Sequence, residues 1–230
     1  MKITALETIH VGEFPNVLFV RVHTDSGLVG LGETFRGAEA VAGFVHGTAA
    51  PHLLGQNPLE IDRLWRTLYG ASLTYKARSA EIRGLSAIDI ALWDIFGQAT
   101  GLPIYQLLGG PSRDRIRIYN TCAGSRFNRN VTGMPFTTVG DSSSGRYEDY
   151  DAFLQRPDEL AESLLAEGIT AMKIWPFDQA VTATGGQSIT REDLKRGLEP
   201  FRRIRRAVGD RMEIMVELHN RWSLPTARSA

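Results

Sequence analysis

Glu217, His219 and Lys173 are the residues of this chain whose types and spacing could do chemistry. The run Glu213-Ile-Met-Val-Glu217-Leu-His219-Asn220-Arg221-Trp222, read as a β-strand, alternates between two faces. Ile214, Val216 and Leu218 take one side; Glu213, Met215, Glu217 and His219 take the other. A second run, Ile169–Pro176, sets Met172 and Ile174 on one face and Ala171, Lys173 and Trp175 on the other. A strand covered on both faces carries charges only where they are paired or hold a metal, because desolvating a lone carboxylate costs several kcal/mol, roughly, even after relaxation. An ammonium, a carboxylate and an imidazole converging on one pocket therefore need a reason. Catalysis is one; a Lys–Glu salt bridge beside a satisfied core histidine fits the same alternation without chemistry.

The elements that would position these side chains alternate from about residue 115 onward. Arg115–Thr121 reads as a strand, Asp158–Glu167 as a helix ended by Gly168, and Thr170–Trp175 as a strand. Thr190 with Asp193 opens a helical region, broken near Gly197 to Pro200, that reaches Val208 and Gly209 before the strand Glu213–Leu218. Such alternation demands a parallel sheet. The connection from Ala123 to Ala152 is far longer than an ordinary βα loop, and Phe127, Met134, Phe136 and Tyr147 within it favour an active-site lid.

The first third of the chain follows a different plan. Ile3–Val11, Val17–Thr24 and Leu28–Glu33, with Asp25-Ser26-Gly27 as turn chemistry, predict an antiparallel meander. Helices follow over Ala38–Leu54, from Asn57 and Pro58 to Gly70, and over Arg78–Thr100, where Gly101 and Pro103 supply the stop. Asp89 and Asp94 share the last helix, but five residues apart they point about 140° away from each other and read as structural. Gly109-Gly110-Pro111 is a turn or linker, without the strand and helix that a phosphate-cradling loop requires.

Composition narrows the function classes. With 230 residues, 43% hydrophobic and 23% charged, the sequence can bury a sizeable core. Basic and acidic residues number 26 each, so charge recommends neither nucleic acid nor an anionic membrane as a partner. Arg202, Arg203, Arg205 and Arg206 read as a solvated helix face. The single cysteine, Cys122, excludes an intrachain disulfide and reads as a small buried hydrophobe. The opening residues lack the apolar core of a signal peptide, which makes a cytoplasmic protein the expectation.

Four segments carry a resemblance: Val29-Gly30-Leu31-Gly32-Glu33; Ser86-Ala-Ile-Asp89-Ile-Ala-Leu-Trp93-Asp94-Ile; Gly101-Leu-Pro103 through Leu108-Gly-Gly110; and Met172-Lys173-Ile-Trp175. Together with the order of elements, they resemble the enolase superfamily, most closely its mandelate racemase and muconate lactonizing group. The resemblance implies an α+β capping domain over residues 1–113 and, from 114 to 230, the first part of a modified (β/α)8 barrel. It also implies one Mg²⁺, a carboxylate substrate, and a homo-oligomer.

In the same reading Glu217 is a first Mg²⁺ ligand, although this family more often has Asp there. His219 matches the histidine that acid-sugar dehydratases use to protonate a departing hydroxyl. Lys173 matches the first lysine of the racemases' Lys-x-Lys pair; the second is Trp175 here, which disfavours racemization. Lys173 would instead steady a substrate carboxylate, with Trp175 as pocket wall. Asn220 and Arg221 would reach substrate hydroxyls or the carboxylate, and Phe14 and Asn16 lie in the cap loop that relatives use for specificity. The expected reaction is dehydration of a sugar acid to a 2-keto-3-deoxy acid through an enediolate. A racemase, epimerase or cycloisomerase is the alternative within the class, and a noncatalytic relative or fragment the alternative outside it. A whole barrel needs about 250 residues. Three strands cannot close, so the general base and the remaining ligands are expected beyond residue 230, on a longer chain.

Overall fold

Alternation builds the first sheet. Strand β2 (Val17–Thr24) buries Leu18, Val20 and Val22 completely. It pairs antiparallel with β1 (Ile3–His10) on one side and β3 (Val29–Phe35) on the other, the order being β1-β2-β3. Helix α1 (Ala38–Phe44) runs through a π turn at Val45–Ala49 into α2 (Ala50–Leu53). Helix α3 (Ile61–Leu73) and the long α4 (Ala80–Thr100) complete the layer over the sheet, and the short α5 (Ile104–Leu107) follows. The computed structural model describes residues 1–73, 79–124 and 148–229. The chain divides into two units, Met1–Asp114 and Arg115–Ala230.

Helix α4 meets the sheet where β3 has no side chains. A Cβ on Gly32 would lie 1.8 Å from the Ala87 carbonyl oxygen, and one on Gly30 would lie 2.0 Å from that of Ala91. The close approach lets Leu85, Ile88, Leu92 and Ile95 enter the core, all 2% exposed or less. Asp94 clasps the same interface, its Oδ2 accepting from the Leu31 N–H at 2.8 Å and from Gln98 at 3.0 Å. Burial pushes the half-buried Asp89 carboxyl above its ordinary range. Gly101, left-handed at φ 68°, ends α4.

Two helix boundaries depart from the sequence pattern. Asn57 does not open α3: its Oδ1 accepts from the Leu59 N–H at 3.1 Å in a local turn, and regular helix starts at Ile61. Nor does Gly70 end it: the helix runs on to Leu73, with Ser72 buried and donating its hydroxyl to Leu68 O at 2.9 Å. A glycine inside a helix costs only about 1 kcal/mol, which is not enough to stop it.

The second unit is parallel α/β. Strand β4 (Ala171–Ile174) pairs in parallel with β5 (Glu213–Val216), Lys173 facing Met215 and Ile174 facing Val216. Helices α6 (Asp149–Gln155) and α7 (Pro157–Ala166) precede β4; α8 (Asp178–Thr184) and α9 (Arg191–Val208) connect it to β5; α10 (Leu224–Ser229) follows. Met172, Ile174, Phe153, Leu164, Ile204 and Met212 form its core. Parallel strands joined by helices are the opening of a (β/α)8 barrel. Among the described residues no helix is long and apolar enough to cross a membrane.

Several sequence expectations change here. Arg115–Thr121 is not a strand: Asn120 alone bridges to β4, donating to Ala171 O at 3.0 Å and accepting from Lys173 N–H at 2.8 Å. Ile116 and Ile118 are 74% and 62% exposed, and alternation without a surface to pack on does not hold a ladder. The chain then turns at Cys122, φ 52°, whose N–H the Asn120 side chain accepts at 2.6 Å. The end of the expected lid is helix α6, while Phe127, Met134, Phe136 and Tyr147 lie outside the described residues.

Helix α9 runs unbroken through Pro200, which is buried, as is Gly197, whose missing Cβ would lie 2.2 Å from the Phe177 ring. Packing there outweighs the hydrogen bond that proline cannot make. Two of the four arginines are tethers: Arg203 holds Asp158 at 2.6 Å, and Arg205 donates to the carbonyls of Gly209 and Met212.

Cys122 is fully buried, and desolvation pushes its thiol well above the ordinary range. Thiolate being the reactive form, we expect labelling by a disulfide reagent to be roughly 100-fold slower in native protein than in denaturant. Equal rates would mean that the Cys122 pocket opens freely.

Candidate functional site

The parallel register of β4 and β5 brings Lys173 and Glu217 together. The ladder closes with Glu217 N–H donating to Ile174 O at 3.0 Å, which leaves Lys173 Nζ 3.2 Å from Glu217 Oε2. The ammonium also lies 5.5 Å from the centroid of the Tyr119 ring, which places Tyr119 at the site. The side chains of Lys173 and Glu217 are 21% and 32% exposed. A pair this open to water contributes little to stability, about 0–1 kcal/mol, and keeps both groups within reach of a ligand. The His219 backbone N–H, then the Lys173 ammonium, hold the Glu217 carboxyl below the usual carboxylate range.

His219 reaches the site by a turn rather than by the pleat. Strand pairing stops at Val216, and His219 and Asn220 both take left-handed backbone, φ 50° and 52°. Two such residues in succession cost about 1 kcal/mol or more each and need outside support. Glu217 Oε1 accepts the His219 N–H at 2.9 Å. From the other side, Gly186 O accepts the Ser223 N–H at 3.0 Å, and Gln187 O accepts the Thr226 hydroxyl at 2.9 Å. Gly186 must be glycine: its φ is 76°, and a Cβ would lie 1.9 Å from Arg221 O. Gly186→Ala is expected to cost about 2 kcal/mol or more, read by urea unfolding; a change below about 0.5 kcal/mol would show that the turn does not lean on this residue.

A buried carboxylate, Asp178, organises the far side of His219. It is 2% exposed; its Oδ2 meets His219 Nδ1 at 2.8 Å and Arg221 Nη1 at 3.4 Å. Trp175, also 2% exposed, packs on Phe153 and Tyr150 and meets the imidazole edge to face, ring centroids 5.4 Å apart. Lys173, Glu217, His219, Trp175 and Arg221 thus form one connected group. Asn220 is exposed on the adjoining turn. Phe14 and Asn16 belong to the first unit, in the turn before β2, where Asn16 O accepts the Arg36 N–H at 2.7 Å. Sequence reasoning missed Asp178 and Tyr119. The signal for Asp178 was an acidic residue just past a barrel strand, which also reads as an ordinary helix start.

Among the described residues no group of three or more His, Cys, Asp or Glu could hold a metal ion. Mg²⁺ asks for near-octahedral oxygen ligation, and this set offers two carboxylates: Glu217, whose two oxygens already engage Lys173 and the His219 N–H, and the buried Asp178, held by His219 and Arg221. The described residues by themselves do not fit a Mg²⁺ centre.

An α+β unit followed by an opening parallel barrel, with its charged groups at the carboxyl ends of adjacent strands, defines the class of barrel enzymes. Residues 3–109 match the mandelate racemase / muconate lactonizing enzyme N-terminal domain, and residues 156–230 match the enolase C-terminal domain-like family. The D-galactonate dehydratase of Xanthomonas oryzae is 31% identical over 231 residues, covering 100% of this chain and 51% of that protein. That of Verminephrobacter eiseniae is 44% identical over 128 residues, 55% of this chain and 32% of its own length. A mandelate racemase subgroup enolase structure from Agrobacterium tumefaciens is 51% identical, with a TM-score of 0.79 over 98% of this chain and 52% of that one. The chain therefore belongs to the enolase superfamily, in its mandelate racemase and muconate lactonizing group. It spans about half the length, or less, of the curated relatives it matches.

Proposed function

We propose that the full-length protein dehydrates a sugar acid to a 2-keto-3-deoxy acid. The observation that carries this reading is the meeting of Lys173 with Glu217 at 3.2 Å beside the His219 turn, at the carboxyl ends of two adjacent parallel strands. In this reading the Lys173 ammonium steadies the substrate carboxylate and the negative charge that grows as the α-proton leaves. The imidazole of His219 gives a proton to the departing β-hydroxyl. One C–H and one C–O bond break, water leaves, and the enol formed tautomerises to the keto acid. Among the described residues of the site none is assigned to α-proton removal. Arg221 and Asn220 reach substrate hydroxyls or the carboxylate, and Trp175 backs His219. A Mg²⁺ requirement, with Glu217 as one ligand, a homo-oligomeric state and a cytoplasmic location belong to the same proposal.

The galactonate dehydratases among the relatives support the reaction class. Trp175, standing where racemases carry their second lysine, argues against racemization. Incubating the full-length protein with a panel of acid sugars and Mg²⁺, and measuring 2-keto acid, tests the reading. Product supports it; exchange of the α-proton without loss of water would replace it with racemization, and silence across the panel would favour a noncatalytic relative.

A further inference from the structure

Asp178 is buried more deeply than any other charged side chain in the described part of this unit, and its hydrogen bonds go to residues far along the chain rather than to its own helix. Asp178 is the first residue of α8, one past its N-cap Phe177, and its side chain caps none of that helix's amides. Its Oδ1 has no hydrogen-bond partner, and Oδ2 serves His219, 41 residues on, and Arg221, 43 residues on. A carboxylate 2% exposed and half satisfied is costly to keep, so it calls for a role that fold stability does not supply.

We propose that Asp178 is the positioning residue of His219, holding the imidazole in the Nδ1–H tautomer and fixing its ring plane. An ionised carboxylate only accepts, so the shared proton sits on Nδ1 and Nε2 becomes the nitrogen that exchanges a proton with a bound substrate. The Trp175 ring, packed nearly perpendicular to the imidazole with centroids 5.4 Å apart, limits its rotation. Arg221, anchored through the same oxygen, keeps the buried carboxylate paired and ties the turn to helix α8. The inference rests on the acid role proposed for His219, but the geometry can be tested apart from it.

Protein labelled with ¹⁵N-histidine, studied near pH 8.5 where imidazoles are generally neutral, reports the tautomer through its two ring nitrogens. His219 is assigned by the signal lost in His219→Gln. The expected result is a protonated Nδ1 in the parent, moving to the Nε2–H form in Asp178→Asn and in Asp178→Ala. Nδ1 unprotonated in the parent would overturn the proposal without recourse to any variant. An unchanged Nδ1–H signal in a folded Asp178→Ala protein would overturn it too. In the full-length protein Asp178→Asn is expected to lower kcat on the order of 10²-fold or more with KM changed far less. A tautomer that shifts while dehydration is unaffected would leave Asp178 in place and remove the acid role of His219 instead.

Discussion

Gly32→Ala is expected to cost the N-terminal unit about 3 kcal/mol or more, enough to unfold it at ambient temperature in a marginal protein. The added methyl would sit 1.8 Å from the Ala87 carbonyl oxygen and 3.2 Å from the Ala91 nitrogen. Both are backbone atoms of α4, so no side chain can swing aside. The helix must retreat, which uncovers Leu85, Ile88 and Leu92 together with the Leu18, Val20 and Val22 face of the sheet. Urea unfolding followed by circular dichroism reads the loss. Gly12→Ala is the control, because nothing lies within 4 Å of the Cβ it would gain, and its effect should stay within about 0.5 kcal/mol. Similar stabilities for the two variants would mean that α4 does not rest on the glycine track of β3.

The second large effect concerns the reaction proposed above. His219→Asn in the full-length protein is expected to slow dehydration by roughly 10² to 10⁴-fold, the usual contribution of a positioned acid. It should leave exchange of the substrate α-proton with deuterium in the solvent largely intact, because protonating the leaving hydroxyl follows removal of that proton. Lys173→Met should abolish both readouts, since its ammonium, 3.2 Å from Glu217, is placed to stabilise charge that develops in the earlier step. Dehydration by His219→Asn within about threefold of the parent would remove the acid role. Loss of exchange and dehydration together would reassign His219 to proton abstraction.

The parts of this molecule that could be read from the sequence are those governed by neighbours along the chain. Val17–Thr24 alternates because one face of its sheet is buried, and the pattern survives unchanged in the structure. The stripe Leu85, Ile88, Leu92 and Ile95, and the stop at Gly101, follow from helical periodicity and from the cost of left-handed backbone to any residue but glycine. Thr190 caps α9 with its hydroxyl on the Asp193 N–H at 3.0 Å, again a contact within one turn. The meeting of Lys173 and Glu217 was legible for a related reason: both lie on neighbouring strands near their carboxyl ends, where register alone decides proximity.

What the tertiary structure alone decided is where local rules meet distant partners. Pro200 reads as a break in the sequence, but it continues a helix because its buried face is held by packing. Arg115–Thr121 has the pattern of a strand, but only Asn120 finds a ladder partner. His219 was placed by strand alternation and instead arrives through two left-handed residues that Gly186 and Gln187 brace from another loop. Asp178 had no periodicity to betray it, since its meaning lies in a carboxylate oxygen 2.8 Å from an imidazole 41 residues away. Periodicity and turn chemistry are short-ranged and written in consecutive residues; the pairing of a buried charge is decided by whichever side chain the folded chain carries to it.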